Sequence, residues 1–203
     1  LIHMDTAGPF VRTREGYQYA LVLIDDHSRF KHVALMKTKD EALTHVRRFV
    51  ADLNAKLSAG KSEPVKVVGT IHSDKGGEFL SRQFTEFLDE ELISRSVSPA
   101  YVHQLNGVAE RAIRTIMEHV RSELSASGAP ASFWGDAALH ASDIINRTTG
   151  PPESKLSSYE HVTGDKPKVM GILPFGCRAY VVKPRPQYHK SSHDDRSWVG
   201  VHV

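Results

Sequence analysis

Cysteine is nearly absent: Cys177 is the one thiol in 203 residues. A lone thiol excludes an intrachain disulfide and a Cys-rich zinc module within these residues, and it fits a reducing compartment. Long apolar runs are missing too. Tyr19 to Ile24 is among the longest, far short of the roughly 20 residues that cross a bilayer, so no membrane partner is expected. There is no internal repeat or low-complexity tract, and no secretory leader is recognisable at the start. The chain opens within an apparent strand, as a portion of something longer would. Charge of one sign is also scarce. Lysine and arginine number 26 against 24 aspartates and glutamates, a net +2 with histidines neutral. Such a balance permits nucleic-acid binding without arguing strongly for it. What is present, 40% hydrophobic and 25% charged residues, is the composition of an ordinary globular domain. The length allows one good core and a small appendage.

Periodicity orders the chain. Leu1 to Met4 reads as a strand ending at Asp5, Tyr17 to Ile24 as a second strand and Phe30 to Met36 as a third. Short turns between them predict an antiparallel meander. A helix is expected to begin around Thr38 to Glu41, with Ala42, Val46, Phe49, Val50, Leu53 and Leu57 on its apolar face. After a polar loop, Ser58 to Pro64, the β-branched run from Val65 predicts a fourth strand reaching Asp74. A helix over Phe79–Glu91 and a short strand over Ile93–Val97 follow. A loop, Ser98 to Asn106, then leads into a helix from about Gly107 to Leu124. Gly128-Ala129-Pro130 breaks it before another helix, Ala131 to Arg147. Composition shifts after Thr149. The expected division is therefore 1–149 as the main domain and 150–203 as a C-terminal extension. In that extension Phe175 to Val182 and Trp198 to Val203 are expected to pair as a short hairpin and to pack on the core or on another subunit, with Phe175, Tyr180 and Trp198 as anchors. The order as a whole suits a five-stranded mixed sheet with helices on both faces, an α/β fold.

Three carboxylates stand out. Asp74 falls at the carboxyl end of a predicted strand, where open α/β sheets place ligands, and two glycines follow it closely. Glu110 lies near the start of a strongly periodic helix, with thirty-five residues between it and Asp74. Asp5 closes the first strand. Three acids from two strands and a helix can meet and hold a divalent metal. The plainer reading is that each caps its element. Asp25-Asp26 is a rival pair, but neighbours on a strand point to opposite faces, so turn chemistry with Ser28 and Arg29 is expected there. Glu78, at a predicted helix start, is expected to act as a cap or dipole partner. His189 and His193 have a spacing seen at zinc sites but lack further ligands nearby, and are read as loop histidines.

The motifs carry a resemblance. His3-Met4-Asp5 with Gly8-Pro9, Ile24-Asp25-Asp26-His27-Ser28-Arg29, Ser73-Asp74-Lys75-Gly76-Gly77-Glu78-Phe79 and Asn106-Gly107-Val108-Ala109-Glu110-Arg111 resemble the ribonuclease H-like catalytic core of a Ty1/copia-type retrotransposon integrase. Phe133-Trp134-Gly135-Asp136-Ala137, Ile145-Asn146-Arg147 and Phe175-Gly176-Cys177-Arg178-Ala179-Tyr180 are similar to the copia-type pattern beyond that core. The resemblance implies a DDE polynucleotidyl transferase with nuclease activity, using Asp5, Asp74 and Glu110 to hold two Mg²⁺ (or Mn²⁺) ions. Such an enzyme processes the 3′ ends of retroelement cDNA and joins them to target DNA as a homo-multimer. It works in the nucleus after a cytoplasmic virus-like-particle stage. Candidate DNA contacts are Lys75, Gln104, Asn106 and Arg114, with Arg114 on the same helix face as Glu110. Two departures bear on DNA contact: His103-Gln104-Leu105 stands where the family usually has Pro-Gln-Gln, and Ala112 where a lysine is common. The alternatives are a domesticated or decayed copy that binds DNA or self-associates without catalysis, and a nuclease acting through water alone.

Overall fold

The computed structural model describes residues 1–58, 67–97, 107–182, 184 and 197–203. Strands β1 (Ile2–Ala7), β2 (Tyr19–Asp25) and β3 (Lys31–Met36) form the antiparallel meander that the alternation predicts. β1 runs two residues past Asp5, so that acid stands inside the strand and not at its end. β4 (Thr70–Ser73) pairs parallel with β1, and β5 (Ser94–Val97) parallel with β4. The sheet is therefore five-stranded and mixed, in the order β3-β2-β1-β4-β5. β4 is shorter than its apolar run. The Val67 N–H donates to Asn54 Oδ1 at 3.0 Å and not to a neighbouring strand. Val65, Lys66 and most of the polar loop before them lie outside the described residues.

A single 3-10 turn, Lys39–Glu41, leads into α1 (Ala42–Ser58). α2 (Arg82–Glu91) starts later than the hydrophobic pattern implies, because Gly77–Phe79 forms a separate 3-10 turn. The cap of α2 is Ser81, whose hydroxyl accepts the Phe84 N–H at 3.2 Å, the usual way to satisfy an orphan donor of a first turn. α3 (Gly107–Ser127), α4 (Trp134–Thr148) and α5 (Ser158–Thr163) are the remaining α-helices among the described residues. Two cores cover the two faces of the sheet. Met4, Leu21, Leu23 and Met36 pack with Val46 and Phe49 of α1 and Phe84 and Leu88 of α2. Val22, Ile24 and Val33 pack with Ile116 and Val120 of α3 and Ala138 and Ala141 of α4. Strand alternation then assigns the rest of β1: Met4 and Thr6 belong to the α1 side, His3 and Asp5 to the α3 side.

In the extension, β6 (Arg178–Val182) and β7 (Ser197–Val201) make a separate antiparallel pair. Of the three expected anchors, Phe175 is buried in this chain's own core with α3 and α4. Tyr180 and Trp198 are 62% and 47% exposed to solvent. Their strands pair with each other, and a two-stranded pair has no second layer to cover its faces. Gly176 lies at φ 77°, and a side chain there would collide with Ser127 at the end of α3. His140 of α4 adds a second tie, with Nδ1 2.9 Å from Glu123 Oε1 and Nε2 3.0 Å from the Leu173 carbonyl. His189, His193 and the loop from Arg185 to Arg196 lie outside the described residues.

Candidate active site

The parallel pairing of β1 with β4 sets Ile2 opposite Ile71 and His3 opposite His72. Carried two residues on, that register brings Asp5 beside Asp74 at the carboxyl edge of the sheet. The rings of His3 and His72 meet edge-on, 5.5 Å apart between centroids, just below the two acids. Asp74 leaves β4 into a tight turn in which its Oδ1 accepts the Gly76 N–H at 2.9 Å. A Cβ on Gly76 would stand 3.0 Å from Asp74 Oδ1 and 2.9 Å from Glu78 Oε2, so both carboxylates lie close against this turn. Glu110 sits in the first turn of α3, exposed, between the buried Ala109 and Ala112. An acid at that end of a helix also complements its dipole.

Electrostatics tie the three acids together. The Asp5 carboxyl is pushed up to about 6, by burial above all and then by the charges of Asp74 and Glu110. The Thr6 N–H, 2.7 Å from Asp5 Oδ1, and the nearby Lys39 ammonium work in the opposite direction. Among the described residues no three His, Cys, Asp or Glu side chains already stand gathered as a metal-holding cluster, and like charges favour separation until a cation joins them. The donor set nevertheless fits a hard divalent ion: all oxygen, with one member held against its ionised form by burial first and then by its acidic neighbours. Asp5, Asp74 and Glu110 are the residues that could hold it.

The rival pair resolves into turn chemistry. Asp25 Oδ2 accepts from the N–H and hydroxyl of Ser28 at 2.8 and 2.7 Å. Asp26 Oδ1 pairs with Arg29 at 2.8 Å and with His3 Nε2 at 3.3 Å. Glu78 departs from the expected capping role. Its Oε1 accepts from Thr6 Oγ1 at 3.0 Å and stands 3.2 Å from Lys39 Nζ. The helix that follows is capped by Ser81 instead, since the Gly77–Phe79 turn intervenes. Lys75 and Arg114 are exposed, the first next to Asp74 and the second one helical turn beyond Glu110. Gln104 and Asn106 lie outside the described residues. Thr6 and Lys39 escaped the sequence reading. One belongs to a strand and the other to a 3-10 turn 33 residues later, and only the sheet order brings them to one edge.

Residues 1–103 match the integrase core domain family. The chain is 33% identical over 198 residues to the retrovirus-related Pol polyprotein from transposon TNT 1-94 of Nicotiana tabacum, covering 97% of this chain and 14% of the polyprotein. It is 26% identical over 197 residues to the corresponding polyprotein from transposon RE1 of Arabidopsis thaliana, covering 97% and 13%. Against the transposon Ty1-NL2 Gag-Pol polyprotein of Saccharomyces cerevisiae it is 26% identical over 178 residues, covering 86% and 10%. The chain thus spans about a seventh or less of the length of these relatives. Among solved structures, the HTLV-2 integrase catalytic core domain in complex with magnesium aligns with a TM-score of 0.57 at 18% identity, over 79% of this chain and 94% of that one. A chain of the simian T-cell lymphotropic virus intasome in complex with the PP2A regulatory subunit B56 gamma aligns with a TM-score of 0.61 at 16% identity, over 98% and 66%. Those likenesses establish the ribonuclease H-like fold. The family match spans half the chain and Ty1-type polyproteins align along most of it: the chain belongs to the integrase core domain family, as a retrotransposon integrase core of the Ty1/copia type.

Proposed function

We propose that this chain is the catalytic core of a metal-dependent DNA integrase, a polynucleotidyl transferase that trims the 3′ ends of retroelement cDNA and joins them to target DNA. The observation that carries the reading is the parallel register of β1 with β4, which sets Asp5 level with Asp74, near enough to Glu110 in the first turn of α3 for both charges to act on Asp5. Divalent cations bound there, two Mg²⁺ or Mn²⁺, supply charge that polarises the scissile phosphate and favours attack by an oxygen nucleophile. The protein's part is to hold the acids at fixed spacing on rigid elements and to seat the DNA. Arg114 and Lys75, both exposed, are the proposed phosphate contacts, which would position DNA without reading its sequence. Gln104 and Asn106, which precede α3 in the chain, are further proposed DNA contacts. Joining two ends calls for a homo-multimer on two DNA ends, and chromosomal targets call for action in the nucleus.

The test is a strand-joining assay with the full-length integrase and Mg²⁺ or Mn²⁺, comparing wild type with Asp74→Asn. Joining and metal-induced thermal stabilisation are both expected to be lost in the variant. Joining at the wild-type rate by Asp74→Asn would overturn the assignment. Cleavage without joining by the wild type would favour a nuclease, and DNA binding without either reaction a non-catalytic module.

A further inference from the structure

On the α1 side of the sheet, directly behind the acids, a single carboxylate joins three separate segments. Strand alternation sends Asp5 to the α3 side and its neighbour Thr6 to the α1 side. There Thr6 Oγ1 donates to Glu78 Oε1 at 3.0 Å, and Lys39 Nζ stands 3.2 Å from the same oxygen. The other carboxylate oxygen, Oε2, lies against Gly76, leaving 2.9 Å to the position a Cβ would take. Gly76 in turn donates its N–H to Asp74 Oδ1 at 2.9 Å, and the Thr6 N–H donates to Asp5 Oδ1 at 2.7 Å. Glu78 therefore touches the residue after Asp5, the turn residue bonded to Asp74, and the 3-10 turn that opens α1.

The side chain of Glu78 is only 9% exposed, whereas that of Lys39 is 45% exposed. A carboxylate so enclosed is costly unless its lone pairs and its charge are satisfied. Thr6 and Lys39 do both, and Lys39 also keeps a fourth negative charge from adding to the repulsion among the other three. We propose that Glu78 is a positioning residue: through Thr6 on one side and Gly76 on the other, with Lys39 as counter-charge, it fixes the separation of Asp5 from Asp74. Groups that orient metal ligands from behind usually cost about 10- to 100-fold in metal affinity when removed. The proposal rests on Asp5 and Asp74 being ligands.

Mn²⁺ binding to the 203-residue chain, followed by the electron paramagnetic resonance of free Mn²⁺, tests it, with the melting temperature of each metal-free variant measured alongside. Glu78→Ala and Thr6→Val are each expected to weaken Mn²⁺ binding by about tenfold. Thr6→Ser, which keeps the hydroxyl, and Glu78→Gln, whose amide oxygen still accepts from Thr6, are expected to retain most of the affinity. The serine–valine pair separates positioning from bulk stability, because valine matches threonine in shape and loses only the donor. It also carries the test should Glu78→Ala fail to fold. Wild-type affinity in Thr6→Val, with Asp74→Asn unable to bind, would overturn the positioning role and leave the ligand assignment standing. Wild-type affinity in Asp74→Asn would remove the ligand assignment and the positioning role together.

Discussion

Asp5 and Glu78 are both largely enclosed carboxyls at one edge of one sheet, yet their proton affinities move in opposite directions. Asp5 is raised to about 6 by burial and by its two acidic neighbours. For Glu78 burial pulls upward as well, but its own backbone N–H, the Thr6 hydroxyl and Lys39 together hold it below the usual carboxylate range. The linkage has a definite sign. A carboxyl depressed in the folded state contributes stability that is present above its unfolded pKa and is lost as pH falls through the folded value. The stability difference between wild type and Glu78→Gln is therefore expected to be largest near neutral pH and to close as pH drops below about 4.5, the ordinary glutamate range. Urea melts of the metal-free proteins from pH 7 to pH 3 measure it. A gap that widens toward acid would show that Glu78 is not held ionised by Thr6 and Lys39.

Between elements, the ties are few and specific. Asn146 of α4 is 4% exposed, and its amide bridges both backbone groups of Lys31 at the start of β3, accepting from the N–H at 2.8 Å and donating to the carbonyl at 2.7 Å. Asn146→Ala leaves that donor and acceptor unpaired at a buried seam, and is expected to cost about 2 kcal/mol. Phe175 ties the extension to α3 and α4 from the other direction. Phe175→Ala is expected to cost about 3 kcal/mol, as a buried ring lost from a packed core. Chemical denaturation reads both. If Phe175→Ala leaves the denaturation midpoint unchanged, the extension does not contribute to the stability of the core through that ring. Asn146 belongs to a stretch singled out by its family pattern. Its work in the fold is structural, closing one edge of the sheet against a helix.

For the molecule as a whole, the near balance of 26 basic and 24 acidic residues makes placement of charge matter more than its sum. Asp5 lies within electrostatic reach of Asp74 and Glu110, and Lys75 and Arg114 are exposed, one next to Asp74 and the other one helical turn beyond Glu110. If DNA lies across that edge, affinity rests on phosphate neutralisation and falls with salt. Arg114→Ala is expected to weaken binding to unrelated DNA sequences alike and to reduce the slope of log affinity against log salt by about one. Fluorescence anisotropy at several salt concentrations measures it. A loss confined to one sequence would mean that Arg114 reads bases and not phosphates.

Alternation and helical spacing alone determined the order of strands and helices and the two-sided burial of the sheet, because those patterns are local. The spacing of Asp74 and Glu110 within their motifs was legible too, since the glycines and apolar runs around them are contiguous in the chain. Local patterning could not place β4 beside β1, and that pairing alone sets Asp5 next to Asp74. It could not show that β1 continues past Asp5, which turns Thr6 to the opposite face. Nor could it reveal that Glu78 serves Thr6 and Lys39 in place of a helix end, because a 3-10 turn and Ser81 take over the cap. Tyr180 and Trp198 read as anchors by their apolar area, but the pairing of β6 with β7 leaves them exposed. Such outcomes depend on which segments meet across long stretches of chain, and only the packed tertiary structure decides that.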